Sequence, residues 1–206
     1  MEYTKVEEYI NSITHYIGAG LSVIGLILLI NKSIVVEHMG YLIGSIVFGI
    51  AMIILYTMSG TYHILEQGRL KNIFRVLDHS AIYLLISASY TPYILTSVEG
   101  VAKWVIFGAQ WGMTLFGIIF KIFFTGRFNI LSTILYLAMG WMVIFIFKDL
   151  KSSLSLISLR FLIAGGITYS LGVIFYSLRI KFSHAIWHVF VIGGSLFNYL
   201  SVYYIY

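Results

Sequence analysis

Two histidines, His184 and His188, stand four residues apart at the start of the last apolar segment of the chain. On a helix, side chains at positions i and i+4 lie on one face, one turn apart. Two histidines on one helix bind a single zinc ion with this geometry. Such a pair also arises by chance in soluble helices. Here, however, no Lys, Arg, Asp or Glu follows it to the end of the chain, and the pattern favours a metal site.

The third metal ligand that we expect is His63, near the end of another apolar segment. A zinc ion with three protein ligands keeps one position for water, which is the catalytic arrangement. Cysteine is absent from the chain, so a metal must use histidine, carboxylate or water. The predicted cofactor is therefore Zn²⁺, although imidazole also suits neighbouring transition metals.

Ser59 and Asp78 are the candidate catalytic residues. Ser59 precedes His63 by one helical turn, so its hydroxyl could support a metal-bound water or a developing oxyanion. Its alternative role is a hydrogen bond to the carbonyl of the preceding turn. Asp78 could act as general base toward that water, or it could form an ion pair with Arg75, one turn away.

The elements that must position these residues are membrane helices. Sixty per cent of the residues are hydrophobic and ten per cent are charged, whereas an ordinary soluble domain has about a quarter charged residues. The apolar runs are long enough to cross a bilayer, and the short connections favour an up-and-down bundle. We predict an all-α fold, with residues 1–206 forming one domain of seven transmembrane helices. The predicted spans are 15–30, 41–65, 75–96, 102–120, 129–147, 158–178 and 184–205.

The charges between the spans predict the orientation in a cell membrane. With the N-terminus in the cytoplasm and the C-terminus outside it, cytoplasmic segments carry more Lys and Arg than the outer ones, as the positive-inside rule requires. This orientation places the candidate site residues, and His15, near the cytoplasmic face. The Lys and Arg residues are scattered through the short connections between spans, which argues against a nucleic-acid partner. Membrane lipids are the expected partners. The cytoplasmic set is Lys5, Arg69, Lys71, Arg75, Lys121, Arg127, Arg179 and Lys181, and the outer set is Lys32, Lys103, Lys148, Lys151 and Arg160.

Glycine and proline indicate how the helices pack. The pairs Gly40/Gly44 and Gly108/Gly112 have the small-residue spacing of close helix–helix contacts in membranes. Pro92 is the single proline, so the sequence does not predict the broken helices of transporters. Oligomeric state is left open.

Taken in order, the motifs resemble those of the hemolysin III branch of the PAQR (progestin and adipoQ receptor) family, which includes the adiponectin receptors. The resemblance covers essentially the whole chain. The motifs that carry it are Ser59-Gly-Thr-Tyr-His63, Asp78-His79 and His184-Ala-Ile-Trp-His188, with Glu8…Asn11…Thr14-His15, Thr91-Pro92-Tyr93 and Gly140-Trp141.

The resemblance implies a seven-helix bundle with an intramembrane zinc ion bound by His63, His184 and His188. It also implies that Asp78 reaches the metal-bound water, with Ser59 beside it. We further expect His15, Asn11 and Tyr62 to support the ligands. Two functions follow as hypotheses. One is a zinc-dependent hydrolase of membrane lipid amides, like the alkaline ceramidases. The other is a non-enzymatic sensor of membrane state, or a cytolysin, with a structural zinc site.

Overall fold

The computed structural model describes residues 4–178 and 180–206, and those residues are almost entirely helical. The predicted all-α, seven-helix bundle is confirmed, because two of the eight helices together make one crossing. Arg179, which contributes to the predicted charge asymmetry, lies outside the described residues. The helices are α1 (Lys5–Val36), α2 (Met39–Ile64), α3 (Arg69–Ser97), α4 (Gly100–Phe124), α5 (Asn129–Trp141), α6 (Val143–Ser153), α7 (Leu156–Ser177) and α8 (Ser183–Tyr203).

Short connections bring the starts of α1, α3, α5 and α8 to the same end of the bundle as the ends of α2, α4 and α7. We call this the histidine end, because His63, His184 and His188 all lie there. The predicted orientation, with this end in the cytoplasm, stays a prediction.

Helix α3 is the central element of the bundle. It packs against α2, α4, α5, α6 and α8. The other six crossings are long and apolar enough to span a membrane, whereas the more polar α3 does not meet that criterion. The reason is its position: a helix surrounded by other helices can carry polar side chains that would be costly against lipid.

Helix α1 begins ten residues before the predicted span, at Lys5. The Thr4 hydroxyl caps the helix by accepting from the Glu7 amide, and the Glu7 carboxylate accepts from the Thr4 amide at 2.9 Å. The Ser12 hydroxyl donates to the Gly60 carbonyl at 2.9 Å and so ties this added stretch to α2. The added turns therefore bring α1 alongside the histidine end.

The predicted fifth span is interrupted between α5 and α6, without proline. The Tyr90 hydroxyl of α3 donates to the Gly140 carbonyl at 2.5 Å and accepts from the Val143 amide at 2.7 Å. A side chain inserted into the helical hydrogen-bond ladder in this way is an ordinary cause of a kink. The missing proline therefore did not guarantee a continuous helix.

Only one of the two predicted glycine contacts forms. A Cβ at Gly44 would lie 2.5 Å from the Pro92 Cα, so α2 and α3 approach each other as closely as the spacing predicts. Gly40 likewise faces the Leu95 carbonyl. The prediction for Gly108 and Gly112 is wrong, because both are exposed and face open space on the outside of α4.

Candidate metal centre

The three predicted ligands meet at the histidine end. His63 lies one residue before the end of α2, and His184 and His188 occupy the first turns of α8. One nitrogen from each ring can be chosen so that all three lie within 4.8 Å of one another. Small side-chain rotations would bring them to the Zn–N distance of about 2.0–2.1 Å from one ion. His63 and His188 are buried and His184 is half-buried, so the set is chemically suited to a zinc ion.

Glu8 orients the ring of His63. Its Oε2 lies 2.5 Å from His63 Nδ1, and its Oε1 accepts a hydrogen bond from Lys71 Nζ at 2.8 Å. Lys71 is itself buried and also donates to the Leu65 carbonyl at 2.9 Å. A carboxylate on Nδ1 fixes the tautomer of a histidine and presents Nε2 to a metal.

The ring of His188 is oriented by main chain from α1. Its Nδ1 lies 3.2 Å from the Asn11 carbonyl oxygen, which accepts the hydrogen bond when that nitrogen carries the proton. The ring of His15 stacks on it, with centroids 3.5 Å apart and planes 13° apart. Neither ring nitrogen of His15 has a hydrogen-bond partner among the described residues.

The three predicted supporting residues all contact the ligands, in different ways. Asn11 acts through its carbonyl, because its buried side-chain amide has no hydrogen-bond partner among residues 4–178 and 180–206. His15 acts through stacking. The ring of Tyr62 lies 4.6 Å from that of His63, and the Lys71 ammonium lies 5.1 Å from the Tyr62 ring.

Asp78 and Ser59 line the same cavity as His184 and His188. Asp78 is buried and forms no ion pair with Arg75 within the part of the chain that the structure describes. The Ser59 hydroxyl is buried and does not bond the preceding turn. It lies within interaction range of the Asp78 carboxyl, although the pair does not have the geometry of a normal hydrogen bond. Both alternative structural roles therefore fail.

His79, the neighbour of Asp78 in the sequence, also reaches this cavity. Its Nδ1 is buried and makes no hydrogen bond to a described residue. The backbone carbonyl of His79 accepts from the Tyr136 hydroxyl at 2.9 Å. This bond joins α3 to α5 beside the candidate metal centre.

A cavity of about 550 Å³ extends from the histidines into the bundle. Along α3 it reaches from Asp78 to Tyr93, fifteen residues apart in sequence, or about 22 Å of helix. Most of its wall is apolar, and Asp78 is the only Lys, Arg, Asp or Glu among the described residues that line it. The cavity thus has the shape and polarity to hold one long hydrocarbon chain with its polar end at the histidines.

The cavity opens sideways, toward the lipid. Ile144 on α6 and Ile167 on α7 both line it and are 63% and 50% exposed. Helix α7 packs closely on α8 and only lightly on α5. The break at Met142 contributes, since Gly140, Trp141 and Val143 beside it are also part of the wall. A lipid chain could enter here without crossing water.

Sequence reasoning did not assign a role to Glu8. It was noted only as part of the N-terminal motif, and its partners His63 and Lys71 are 55 and 63 residues away in sequence. The sequence did contain a signal for such a role. Asn11 follows Glu8 by three residues and His15 follows Asn11 by four, so the three residues lie on one face of a helix. That face contacts two of the candidate ligands, His63 and His188.

Comparison with known proteins gives relatives over nearly the whole chain. A family model described as "Haemolysin-III related" matches residues 3–199. Hemolysin-3 of Bacillus cereus is 42% identical over 197 residues, which cover 95% of this chain and 90% of that protein. The Hemolysin-3 homolog of Bacillus subtilis (strain 168) is 42% identical over 201 residues, covering 97% and 94%. The human Monocyte to macrophage differentiation factor is 27% identical over 167 residues, covering 76% and 67%.

Proposed function

This chain belongs to the haemolysin-III related family of multi-pass integral membrane proteins, and from that premise we propose that it is a zinc-dependent hydrolase of membrane lipid amides. One observation carries the proposal. Three histidine nitrogens can approach one ion, and two of these histidines, His184 and His188, line the end of a long apolar cavity that opens to the lipid. A structural metal site needs no such cavity.

The residues divide into those that bind a metal and those that handle the substrate. His63, His184 and His188 would hold the zinc ion, with Glu8 and the Asn11 carbonyl orienting two of the rings. A bound zinc ion lowers the pKa of a coordinated water to about 7 and polarises a carbonyl group. The three-ligand set leaves a coordination position for this chemistry.

Asp78 and Ser59 act beside the metal. The Asp78 carboxylate, as general base, accepts a proton from the attacking water and returns it to the leaving amine. The Ser59 hydroxyl donates a hydrogen bond to the oxygen on which negative charge develops. The apolar wall holds the acyl chain and excludes bulk water, which strengthens the interactions of both polar groups. We place the site at the cytoplasmic face of the membrane.

The names of the bacterial relatives, Hemolysin-3 and Hemolysin-3 homolog, favour a second candidate, a membrane-lytic protein in which zinc is structural. Lysis by an oligomeric pore requires a polar stripe along a transmembrane helix. The outer surfaces of α1, α4 and α7 are instead dominated by exposed apolar side chains, such as Ile24, Phe116 and Ile174. The hydrolase therefore fits the described residues better.

The test compares zinc content and ceramide hydrolysis in detergent-purified protein. Wild type should carry about one zinc ion per chain and release fatty acid. Replacing both His184 and His188 by alanine should abolish both properties. Asp78→Asn should retain zinc but lose about 100- to 10,000-fold in rate, the usual contribution of a general base.

Two outcomes decide against the proposal. If wild type neither contains nor takes up zinc, the hydrolase is excluded. If zinc is bound, but a panel of ceramides and other lipid amides is not cleaved above the rate of the double histidine variant, the metal is structural. The second candidate then leads, and erythrocyte lysis by the wild type becomes the informative assay.

A further inference from the structure

Asn198 is a polar residue deep in the wall of a mostly apolar cavity. It lies on α8 ten residues beyond His188, or about 15 Å further along the helix. That depth corresponds to about half of the hydrocarbon thickness of a bilayer, which is about 30 Å. The residue lines the cavity and is 8% exposed.

Among the described residues, the polar group that interacts with the Asn198 amide is the Tyr169 hydroxyl. The Tyr169 hydroxyl also shares a hydrogen bond of 2.7 Å with the Ser195 hydroxyl, in which either oxygen can donate. Ser195 in turn accepts from Tyr56 at 2.7 Å. The hydroxyls can therefore supply at most one hydrogen bond to the amide oxygen, and the two N–H donors of the amide are left for a molecule in the cavity.

Local packing holds the amide in this position. A Cβ at Gly165 would lie 2.9 Å from the Asn198 Oδ1, so the bare backbone of α7 provides the space that the amide occupies. Most buried polar groups are hydrogen-bonded, and one left without a partner in an apolar wall destabilises the fold. A bound molecule that bonds the amide would remove this cost.

We infer that Asn198 is a specificity-determining residue for lipids whose hydrocarbon chain carries a neutral hydrogen-bonding group, such as a hydroxyl or a carbonyl. An amide can both donate and accept, so it serves either group. The group must be uncharged, because no Lys, Arg, Asp or Glu lines the cavity near this depth among the described residues. The inference rests on the proposed function only in placing the polar end of the lipid at the histidines.

The test measures fatty-acid binding to purified protein by displacement of a fluorescent fatty acid. The probes are stearic acid and hydroxystearic acids with the hydroxyl near the carboxyl group, in the middle of the chain or toward its methyl end. The readout is the affinity ratio of each hydroxystearic acid to stearic acid. The probes partition unequally into detergent, but this affects the ratio equally for every variant. It therefore cancels when the ratio is compared between variants.

In wild type, the ratio for a hydroxyl in the distal half of the chain should exceed the ratio in Asn198→Leu by about three- to tenfold, as expected for one hydrogen bond. Asn198→Ala should behave like Asn198→Leu, and unchanged stearic acid binding shows that each variant is folded. The matched control is Ser89→Ala, because Ser89 also lines the cavity but already donates to the Ile86 carbonyl at 2.7 Å. This control should keep the wild-type ratio.

Equal ratios in wild type and both Asn198 variants would overturn the inference and assign the amide a packing role. A preference for the hydroxyl near the carboxyl group would also overturn it, because that position is at the other end of the cavity. The experiment is repeated with the His184→Ala/His188→Ala variant. A preference that persists there supports the Asn198 subsite even if lipid amides are not hydrolysed, so the two proposals can fail separately.

Discussion

Replacing Glu8 by glutamine should weaken zinc binding, although Glu8 is not a metal ligand. The carboxylate lies 2.5 Å from Nδ1 of His63 and also accepts from Lys71 at 2.8 Å. Glutamine keeps the size of the side chain and one accepting oxygen, but it removes the negative charge that favours the Nδ1–H tautomer. His63 would then lose its fixed orientation while its ring stays packed against Tyr62.

The magnitude follows from the number of ligands affected. One of the three histidines loses its carboxylate, while His188 keeps the Asn11 carbonyl at 3.2 Å. Removing such an outer partner costs about 10- to 100-fold in metal affinity, or about 1.4–2.8 kcal/mol. Glu8→Ala should also destabilise the metal-free protein, because it leaves the buried Lys71 ammonium without its carboxylate.

The assay is competition for zinc with a chelator of known affinity, alongside thermal unfolding of the metal-free protein in detergent. The matched control is Glu7→Gln. The Glu7 carboxylate accepts from Thr4 and from the Phe182 amide at 2.9 Å, and it contacts no metal ligand in the described residues. This control should lower the unfolding temperature while leaving zinc affinity within about threefold of wild type.

Zinc affinity of Glu8→Gln equal to that of wild type would refute the argument, since the carboxylate would then have no role in orienting His63. An equal loss of zinc affinity in Glu7→Gln would also refute it. The loss would then come from a disturbed start of α1 and not from the orientation of the His63 ring. Adding Lys71→Met to Glu8→Gln separates the two partners of the carboxylate. Affinity should fall little further, because Lys71 reaches His63 through Glu8 and only at longer range through the Tyr62 ring.

Four substitutions test other parts of the structure. Tyr90→Phe should lower the free energy of unfolding by about 1–3 kcal/mol, because two backbone groups at the α5–α6 break lose their partner, and thermal or denaturant unfolding in detergent measures this. Gly44→Ala should cost a similar amount by forcing α2 away from Pro92, whereas Gly108→Ala, which meets open space, should be neutral or slightly stabilising in the same assay. Gly166→Leu should leave unfolding unchanged but lower stearic acid affinity about tenfold or more, because a Cβ at this cavity-lining position meets no neighbour and the rest of the side chain would occupy the space of the lipid chain.

The amino-acid sequence determined the elements and the ligands of the candidate site. The apolar runs gave the crossings because hydropathy and length are local properties. The His184/His188 pair could be placed on one face because helical periodicity is also local. His63 and Asp78 could be added because short connections put alternate helix ends at the same side of the membrane. The resemblance to the family agreed with each of these assignments.

Only the tertiary structure decided which residues at a given depth face one another. Lipid tails are as apolar as the side chains of a protein core, so hydropathy does not show which side of a membrane helix is buried. For this reason Gly44 and Gly108 had the same sequence signal but opposite surroundings. The contact of Glu8 with His63 and the position of Asn198 in the cavity depend on how separate helices pack, which no local pattern encodes.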